Sequence, residues 1–311
     1  MNNDLTYKKI FLFWIPLAVT WLMMSVEGPY LSAIIARMTE PKYNLAAFGI
    51  SFSFALIIEA PVIMLMSAAT ALVTNFDSYK KLKNFTYLLN VVITILMLLV
   101  LIPNVFDFIA VDLINLPIGV ADITYWALAA LLPWPAAIGY RRFYQGILIR
   151  NNKTRLVTAG TFIRLILMSI TALILFLYSS LSGAVVASLS LSVGVTVEAI
   201  ASKLMSLQVI EKIKLKEILT DENELTYKEI LIFYYPLALT SMLSLGIHPV
   251  VTFLLGQSRM AIESLAVLPV INALVFVFRS VGLSYHEVFV ALLGKDGEGY
   301  KPLRNFGFFA G

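Results

Sequence analysis

Eight long apolar stretches leave this chain few ways to fold. Each contains about 20 residues or more, which is the length that an α-helix needs to cross the hydrocarbon core of a bilayer. Only 14% of the 311 residues are charged, whereas soluble domains carry roughly 25%. The sequence therefore predicts an all-α polytopic membrane protein with eight complete transmembrane helices and the start of a ninth at about Asn305. The eight predicted spans are 10–36, 44–74, 84–106, 123–148, 155–180, 183–208, 229–256 and 262–293.

The chain also contains an internal repeat. Residues 5–20 (LTYKKIFLFWIPLAVT) and 225–240 (LTYKEILIFYYPLALT) are identical at ten of sixteen positions, at a constant offset of 220. The match continues downstream at the same offset, where Pro29 corresponds to Pro249. A repeat of this length indicates that one structural unit occurs twice.

The repeat predicts how the spans are organised. Six spans separate the starts of the two copies, and because six is even, both copies cross the membrane in the same direction. We therefore predict a parallel six-helix repeat whose two bundles face each other across a central cleft. Residues 1–211 form the first bundle, 212–228 a cytoplasmic linker, and 229–311 a partial, truncated second bundle. The gene is expected to continue past Gly311 with further spans.

Basic residues in the connecting segments predict the orientation, since Lys and Arg are enriched on the cytoplasmic side. They precede the first span and follow the second, fourth, sixth and eighth spans. The loop after the third span instead carries Asp107, Asp112 and Asp122 and no basic residue. We expect a multi-pass protein of the cell (inner or plasma) membrane with a cytoplasmic N-terminus.

The residue inventory argues against catalysis. The chain has no Cys and only two His, so thiolate and multi-His metal sites cannot form. It also lacks a GxxxxGK phosphate-binding loop. We predict that the protein is not an enzyme and holds no metal and no cofactor other than a coupling ion. The predicted partners are membrane lipid and a small-molecule substrate, without nucleic acid, and the number of copies in the assembly is left open.

Ionisable residues within the predicted spans are the candidates for a functional site, because each costs about 2.5–3.5 kcal/mol to insert at the bilayer centre. Glu59 lies at the centre of the second span. Arg279, its equivalent in the second copy, lies at the centre of the eighth. Opposite charges thus occupy equivalent depths, and both would face the central cleft. The alternatives are a structural ion pair or separate satisfaction of each charge within its own bundle.

A polar stripe runs along the eighth span. Asn272, Arg279 and His286 are spaced by seven residues, so they share one helix face. Such a face is expected to line a water-filled site or, alternatively, to form hydrogen bonds with other helices.

Prolines mark two further candidate positions. Glu27 lies beside Pro29, which kinks the first span, and a carboxylate there would couple protonation to bending. The alternative is a carboxylate near the outer interface. His248 occupies the equivalent segment of the second copy, again before a proline. Arg164 and Glu198 are weaker candidates, and we expect them to pair within the first bundle.

These openings, IPLAVT and YPLALT, and the parallel six-helix repeat resemble the multidrug and toxic compound extrusion (MATE) transporters. They also resemble the wider superfamily that includes exporters of polysaccharides and lipid-linked oligosaccharides. The stretch GYRRFYQGILIRNNKTR (139–155) resembles the cytoplasmic loop after the fourth span of that superfamily. The residues at the matching places are Arg142, Gln145, Gly146, Thr154 and Arg155. Within the superfamily, HPVVTFLLGQSR and FYYPLALT look most like the progressive ankylosis proteins.

The resemblance implies a secondary active transporter that works by alternating access between two bundles. It suggests coupling to H⁺ or Na⁺, with Glu27 and Glu59 as the acidic residues. Progressive ankylosis proteins are linked to export of pyrophosphate and other polyanions such as nucleotides and citrate. Arg279 suits an anion, because a guanidinium pairs with carboxylate or phosphate in a fork geometry. The expectation is export of a small organic or phosphate-bearing anion. The alternatives are an H⁺- or Na⁺-coupled cationic multidrug extruder and a lipid-linked oligosaccharide flippase.

Overall fold

The computed structural model describes residues 5–217, 225–294 and 297–310, and every regular element in these ranges is a helix. The protein is thus all-α, as predicted. In chain order the helices are α1 (Tyr7–Ile35), α2 (Pro41–Glu59), α3 (Leu65–Leu72), α4 (Phe76–Val100), α5 (Pro103–Asp107, continued by a π-helix over Phe108–Leu113), α6 (Ile118–Ala130), α7 (Trp134–Arg150), α8 (Thr154–Tyr178), α9 (Gly183–Glu217), α10 (Tyr227–Gly256), α11 (Ala261–Leu292) and α12 (Tyr300–Ala310).

Seven helical segments of the described chain are long and apolar enough to cross a membrane, which supports the prediction of a multi-pass membrane protein. They are α1, α2 with α3, α4, α8, α9, α10 and α11. The ninth span expected at about Asn305 falls within α12, and residue 311 lies outside the described residues. The predicted linker begins inside α9, and its residues 218–224 also lie outside the described residues.

Prolines divide two of the predicted spans. Pro61 has no N–H to donate, and the chain tightens into a 3₁₀ turn over Ala60–Val62 before α3 begins. Glu59 is therefore the last residue of α2. The span predicted over 123–148 is likewise divided, since Pro133 sits in a turn between α6 and α7. The resulting helices α6 and α7, of 13 and 17 residues, are each too short to be counted as a span, which is why seven spans are found in the described chain where eight were predicted.

Both sequence copies begin their first helix at the same place in the repeat. Thr6 Oγ1 accepts a hydrogen bond from the Lys9 N–H at 3.4 Å, and α1 starts at Tyr7. Thr226 Oγ1 accepts from the Glu229 N–H at 3.3 Å, and the Glu229 carboxylate accepts from the Thr226 N–H at 2.7 Å. Capping contacts of this kind stabilise a helix start by about 1 kcal/mol.

α10 and α11, which contain the second copy of the sequence repeat, pack against α1, α2 and α3. Between the two ends, α11 lies so close to α1 that a Cβ on Gly28 would be 2.7 Å from the Ala273 Cβ. At the end where α1 begins, Trp14 Nε1 donates to Ser284 Oγ at 2.8 Å. At the opposite end, Lys42 Nζ and a Glu263 carboxylate oxygen are 3.0 Å apart. The second copy is therefore in contact with the preceding helices at both ends of α11.

Glycine at position 146 sets the distance between α7 and α3. A Cβ there would lie 2.4 Å from the Met66 carbonyl oxygen and 2.6 Å from the Ala69 Cβ. Backbone atoms cannot move aside as a flexible side chain can, so any larger residue must push the two helices apart. The close approach is what brings the polar side chains of α7 into the bundle.

We predict that Gly146→Ala lowers the free energy of unfolding by about 1–3 kcal/mol, the usual cost of overpacking a tight contact. Gly282→Ala is the matched control, because a Cβ on this helical glycine has nothing within 4 Å. There the substitution should be neutral or stabilising by up to about 1 kcal/mol. Thermal unfolding of both variants in detergent measures the difference, and equal melting temperatures would contradict the packing argument.

Candidate functional site

A buried carboxylate on α9 is the centre of a polar network inside the first bundle. Glu198 Oε2 accepts from Arg141 Nη1 at 2.6 Å and from Arg164 Nη1 at 3.4 Å. Its Oε1 accepts from Thr161 Oγ1 at 2.7 Å and from Gln145 Nε2 at 3.1 Å. All five side chains are buried. Four donors thus replace the water that Glu198 would lose on burial.

Glu27 extends this network to a fourth helix. Arg164 Nη2 donates to Glu27 Oε2 while its other nitrogen contacts Glu198, so the Arg164 guanidinium bridges two carboxylates. The charges alternate in the order Glu27, Arg164, Glu198 and Arg141, from α1, α8, α9 and α7. With two carboxylates and two guanidiniums, the network is electrically neutral. The expected pairing of Arg164 with Glu198 is confirmed.

Small residues allow the helices of the network to approach one another. A Cβ on Gly194 of α9 would lie 3.0 Å from the Met168 Cβ and 3.1 Å from the Arg164 carbonyl oxygen. On the facing helix, a Cβ on Gly160 would lie 3.7 Å from the Glu198 Cγ. The α8–α9 contact therefore places the Arg164 side chain directly against Glu198.

Glu59 lies beside the network and makes a different contact. Its Oε2 accepts from Trp134 Nε1 at 2.5 Å, and no arginine or lysine among the described residues forms an ion pair with it. The Arg164 guanidinium lies over the Trp134 ring, 5.3 Å from its centroid. The single observed hydrogen bond of Glu59 is made within the first bundle.

The predicted site residues of the second copy lie on or near the surface. Arg279 is exposed on α11, and Asn272, seven residues earlier on the same helix, is half-buried. The side chain of His286 is 47% exposed, and its Nδ1 lies 3.8 Å from Glu287 Oε1. His248 is half-buried on α10. Glu59 and Arg279 are therefore not in contact in this structure.

The stretch expected to form a cytoplasmic loop is mostly a buried helix, which corrects that expectation. Arg142, Gln145 and Gly146 lie in α7 and are buried, while Thr154 and Arg155 are the first two residues of α8. Only residues 151–153 connect the two helices. Arg141 and Arg142 enter the core, where Arg141 contacts the Glu198 carboxylate and Arg142 contacts the Trp21 ring and the Met66 sulfur atom, whereas Arg150 and Arg155 are exposed.

Sequence reasoning missed Arg141 and Thr161, which belong to the network, and Trp134, which lies beside it. Arg141 precedes Arg142, and its spacing of four from Gln145 puts both on one face of α7, which is the face that meets Glu198. Trp134 has the appearance of an aromatic residue of the membrane interface, yet it is buried and donates to Glu59. The i, i+4 pairing of a charged and a polar residue in an apolar stretch was the available signal.

No group of three or more His, Asp or Glu side chains is arranged as metal ligands within the part of the chain that the structure describes. The donors around Glu198 are guanidinium, amide and hydroxyl groups. These are suited to holding a carboxylate in place, and to recognising anions, rather than to binding a metal cation.

We predict that Glu198→Gln lowers the free energy of unfolding by about 3–5 kcal/mol, because it leaves two buried guanidiniums without their shared countercharge. Glu263→Gln is the control. Its ion pair with Lys42 has both side chains more than 40% exposed, at 45% and 44%, so the loss should stay below about 1 kcal/mol. Denaturant unfolding in detergent micelles measures both. A similar, small loss in the two variants would show that the buried network does not hold the bundle together.

No protein-family model and no curated protein matches the sequence. Solved structures do match its fold. The crystal structure of a eukaryotic MATE transporter, AtDTX14, has a TM-score of 0.66 and 17% sequence identity, over 97% of this chain and 68% of that one. A structure described only as protein A has a TM-score of 0.63 and 14% identity, over 99% of this chain and 70% of that one. The chain therefore has a MATE-like fold.

Proposed function

We propose that the protein is a secondary active transporter that exports a small organic or phosphate-bearing anion. Alternating access would occur between two parallel six-helix bundles, the first formed by residues 1–211 and the second beginning at residue 229. The MATE-like fold supports the transporter class. The basic residues of the connecting segments support an N-terminus on the cytoplasmic side of the cell membrane.

Two arginines without a carboxylate partner support an anionic substrate. The network around Glu198 is neutral, but Arg142 and Arg279 form no ion pair among the described residues. Guanidinium groups at membrane depth are costly unless an anion compensates them. A transported carboxylate or phosphate would provide that compensation through two parallel hydrogen bonds. The resemblance to progressive ankylosis proteins favours pyrophosphate, citrate or a nucleotide.

A cationic multidrug extruder coupled to H⁺ or Na⁺ is the second candidate, and Glu59 favours it. This carboxylate is buried with a neutral indole N–H as its hydrogen-bond donor. A buried carboxylate without a cationic partner is a place where a proton, a metal cation or a cationic drug would bind. Glu27, whose Oε1 has no hydrogen-bond partner, is the other acidic residue predicted to couple transport to an ion.

The two candidates predict opposite results in a ligand panel read by thermal shift. Pyrophosphate, ATP and citrate should raise the melting temperature of the purified protein, since a ligand that binds only the folded state stabilises it by about 2.7 kcal/mol at 100 times its Kd. Arg279→Ala should abolish this effect. Arg259→Ala, in the exposed turn between α10 and α11, is the control and should leave it unchanged.

The same panel contains cationic dyes, which test the second candidate. Stabilisation by the dyes that persists in Arg279→Ala and disappears in Glu59→Gln would contradict an anionic substrate. It would instead assign Glu59 to cation binding and Arg279 to a structural role.

A further inference from the structure

Arg142 is a buried guanidinium with unusually weak partners. Its side chain is 4% exposed and lies over the Trp21 ring, 5.2 Å from the centroid. Its Nη1 donates to the Met66 Sδ at 3.7 Å, and its Nε has no hydrogen-bond partner. A guanidinium carries five N–H donors, and a thioether sulfur and a ring face satisfy them poorly. Arg142 therefore retains donors that point to an anionic partner.

The second copy places a carboxylate nearby. Glu287 on α11 is 5% exposed, and its Oε2 has no hydrogen-bond partner. The Trp21 ring that Arg142 lies over also contacts Phe276 of α11, with ring centroids 6.1 Å apart. Neither Glu287 nor Glu59 forms an ion pair with Arg142 among the described residues, but both carboxylates act on it through space. Arg141, one residue away, repels Arg142. Glu287 Oε1 lies 3.8 Å from His286 Nδ1 on the same helix, so Oε2 is its unsatisfied atom, as Nε is that of Arg142, and these two groups come from different copies.

We propose that Arg142 binds the anionic group of the substrate, and that Glu287 compensates its charge when no substrate is bound. This inference rests on the proposed transport of an anion and names the contact that the first bundle makes with it. Glu287 belongs to α11, so any separation of the two copies carries it away from Arg142. Arg142 stays behind, because the neighbouring Arg141 anchors α7 to Glu198 at 2.6 Å.

A buried guanidinium that loses its countercharge strongly favours a replacement anion. A carboxylate or phosphate group can accept two parallel hydrogen bonds from the free edge of the guanidinium. In the closed arrangement Glu287 would compete with that group for Arg142. The internal carboxylate therefore sets how tightly the substrate must bind in order to displace it.

The depth of the pair fits loading from the proposed cytoplasmic side. Arg142 lies eight residues before the end of α7 at Arg150, and Glu287 lies five residues before the end of α11 at Leu292. At 1.5 Å per residue these are depths of about 12 Å and 8 Å. Trp14 lies in the first half of α1 and Ser284 lies near the end of α11, and the hydrogen bond between them shows that the end of α11 lies beside the start of α1.

Isothermal titration of the purified protein with pyrophosphate and with citrate tests the competition. Glu287→Gln should tighten binding roughly tenfold, which corresponds to about 1.4 kcal/mol, because it removes the competing charge. Glu263→Gln, an exposed carboxylate on the same helix, is the matched control and should not change the Kd. Arg142→Gln should weaken binding at least about tenfold, and Arg142→Lys should fall between, since it keeps the charge but loses the fork.

A measurement without ligand tests the contact itself. In a double-mutant cycle of thermal stability, the effects of Arg142→Gln and Glu287→Gln should be non-additive, since interacting charges couple. If Arg142→Gln does not fold, the titration of Glu287→Gln against Glu263→Gln decides the question alone. Equal anion affinity in the wild type and Glu287→Gln overturns this inference and leaves anion transport standing. No anion binding by either protein overturns both.

Discussion

The contact between Glu198 and two arginines is the interaction on which the first bundle depends. Burying a lone arginine or carboxylate at this depth would cost more than most single contacts return. Because Glu198 accepts from Arg141 and Arg164 together, α7 can be a core helix although it carries several arginines. Without this compensation, α7 would have to lie at the membrane surface, and the close approach at Gly146 would be lost.

The same balance of charges distinguishes the arginines that stabilise the fold from the arginine that is available to a substrate. Arg141 and Arg164 are matched by Glu198 and Glu27, which explains them fully as elements of the fold. Arg142 lies instead over the Trp21 ring, which also contacts Phe276 of the second copy, and no carboxylate among the described residues forms an ion pair with it. In the proposed transporter of two bundles, an unmatched charge between the bundles would be available to a substrate and would respond to any movement of one bundle against the other.

Length and hydropathy were sufficient to predict an all-α membrane protein, because each apolar stretch satisfies its own backbone within one helix. The pairing of Arg164 with Glu198 could also be predicted from the sequence, since opposite charges in adjacent spans attract each other. The role of Arg141 and the burial of Trp134 could not. Both depend on hydrogen bonds between residues that are 57 and 75 positions apart in the sequence. Only tertiary packing decides which face of α7 points inward.

Flux of isotope-labelled pyrophosphate across lipid vesicles that contain the protein tests the central claim most directly. An anion transporter with a vacant guanidinium at the boundary should move pyrophosphate down its gradient, and excess unlabelled citrate should slow that movement. Vesicles that pass a cationic dye but retain pyrophosphate would contradict the account. In that case the unmatched arginines would be structural, and the buried carboxylates would form the substrate site.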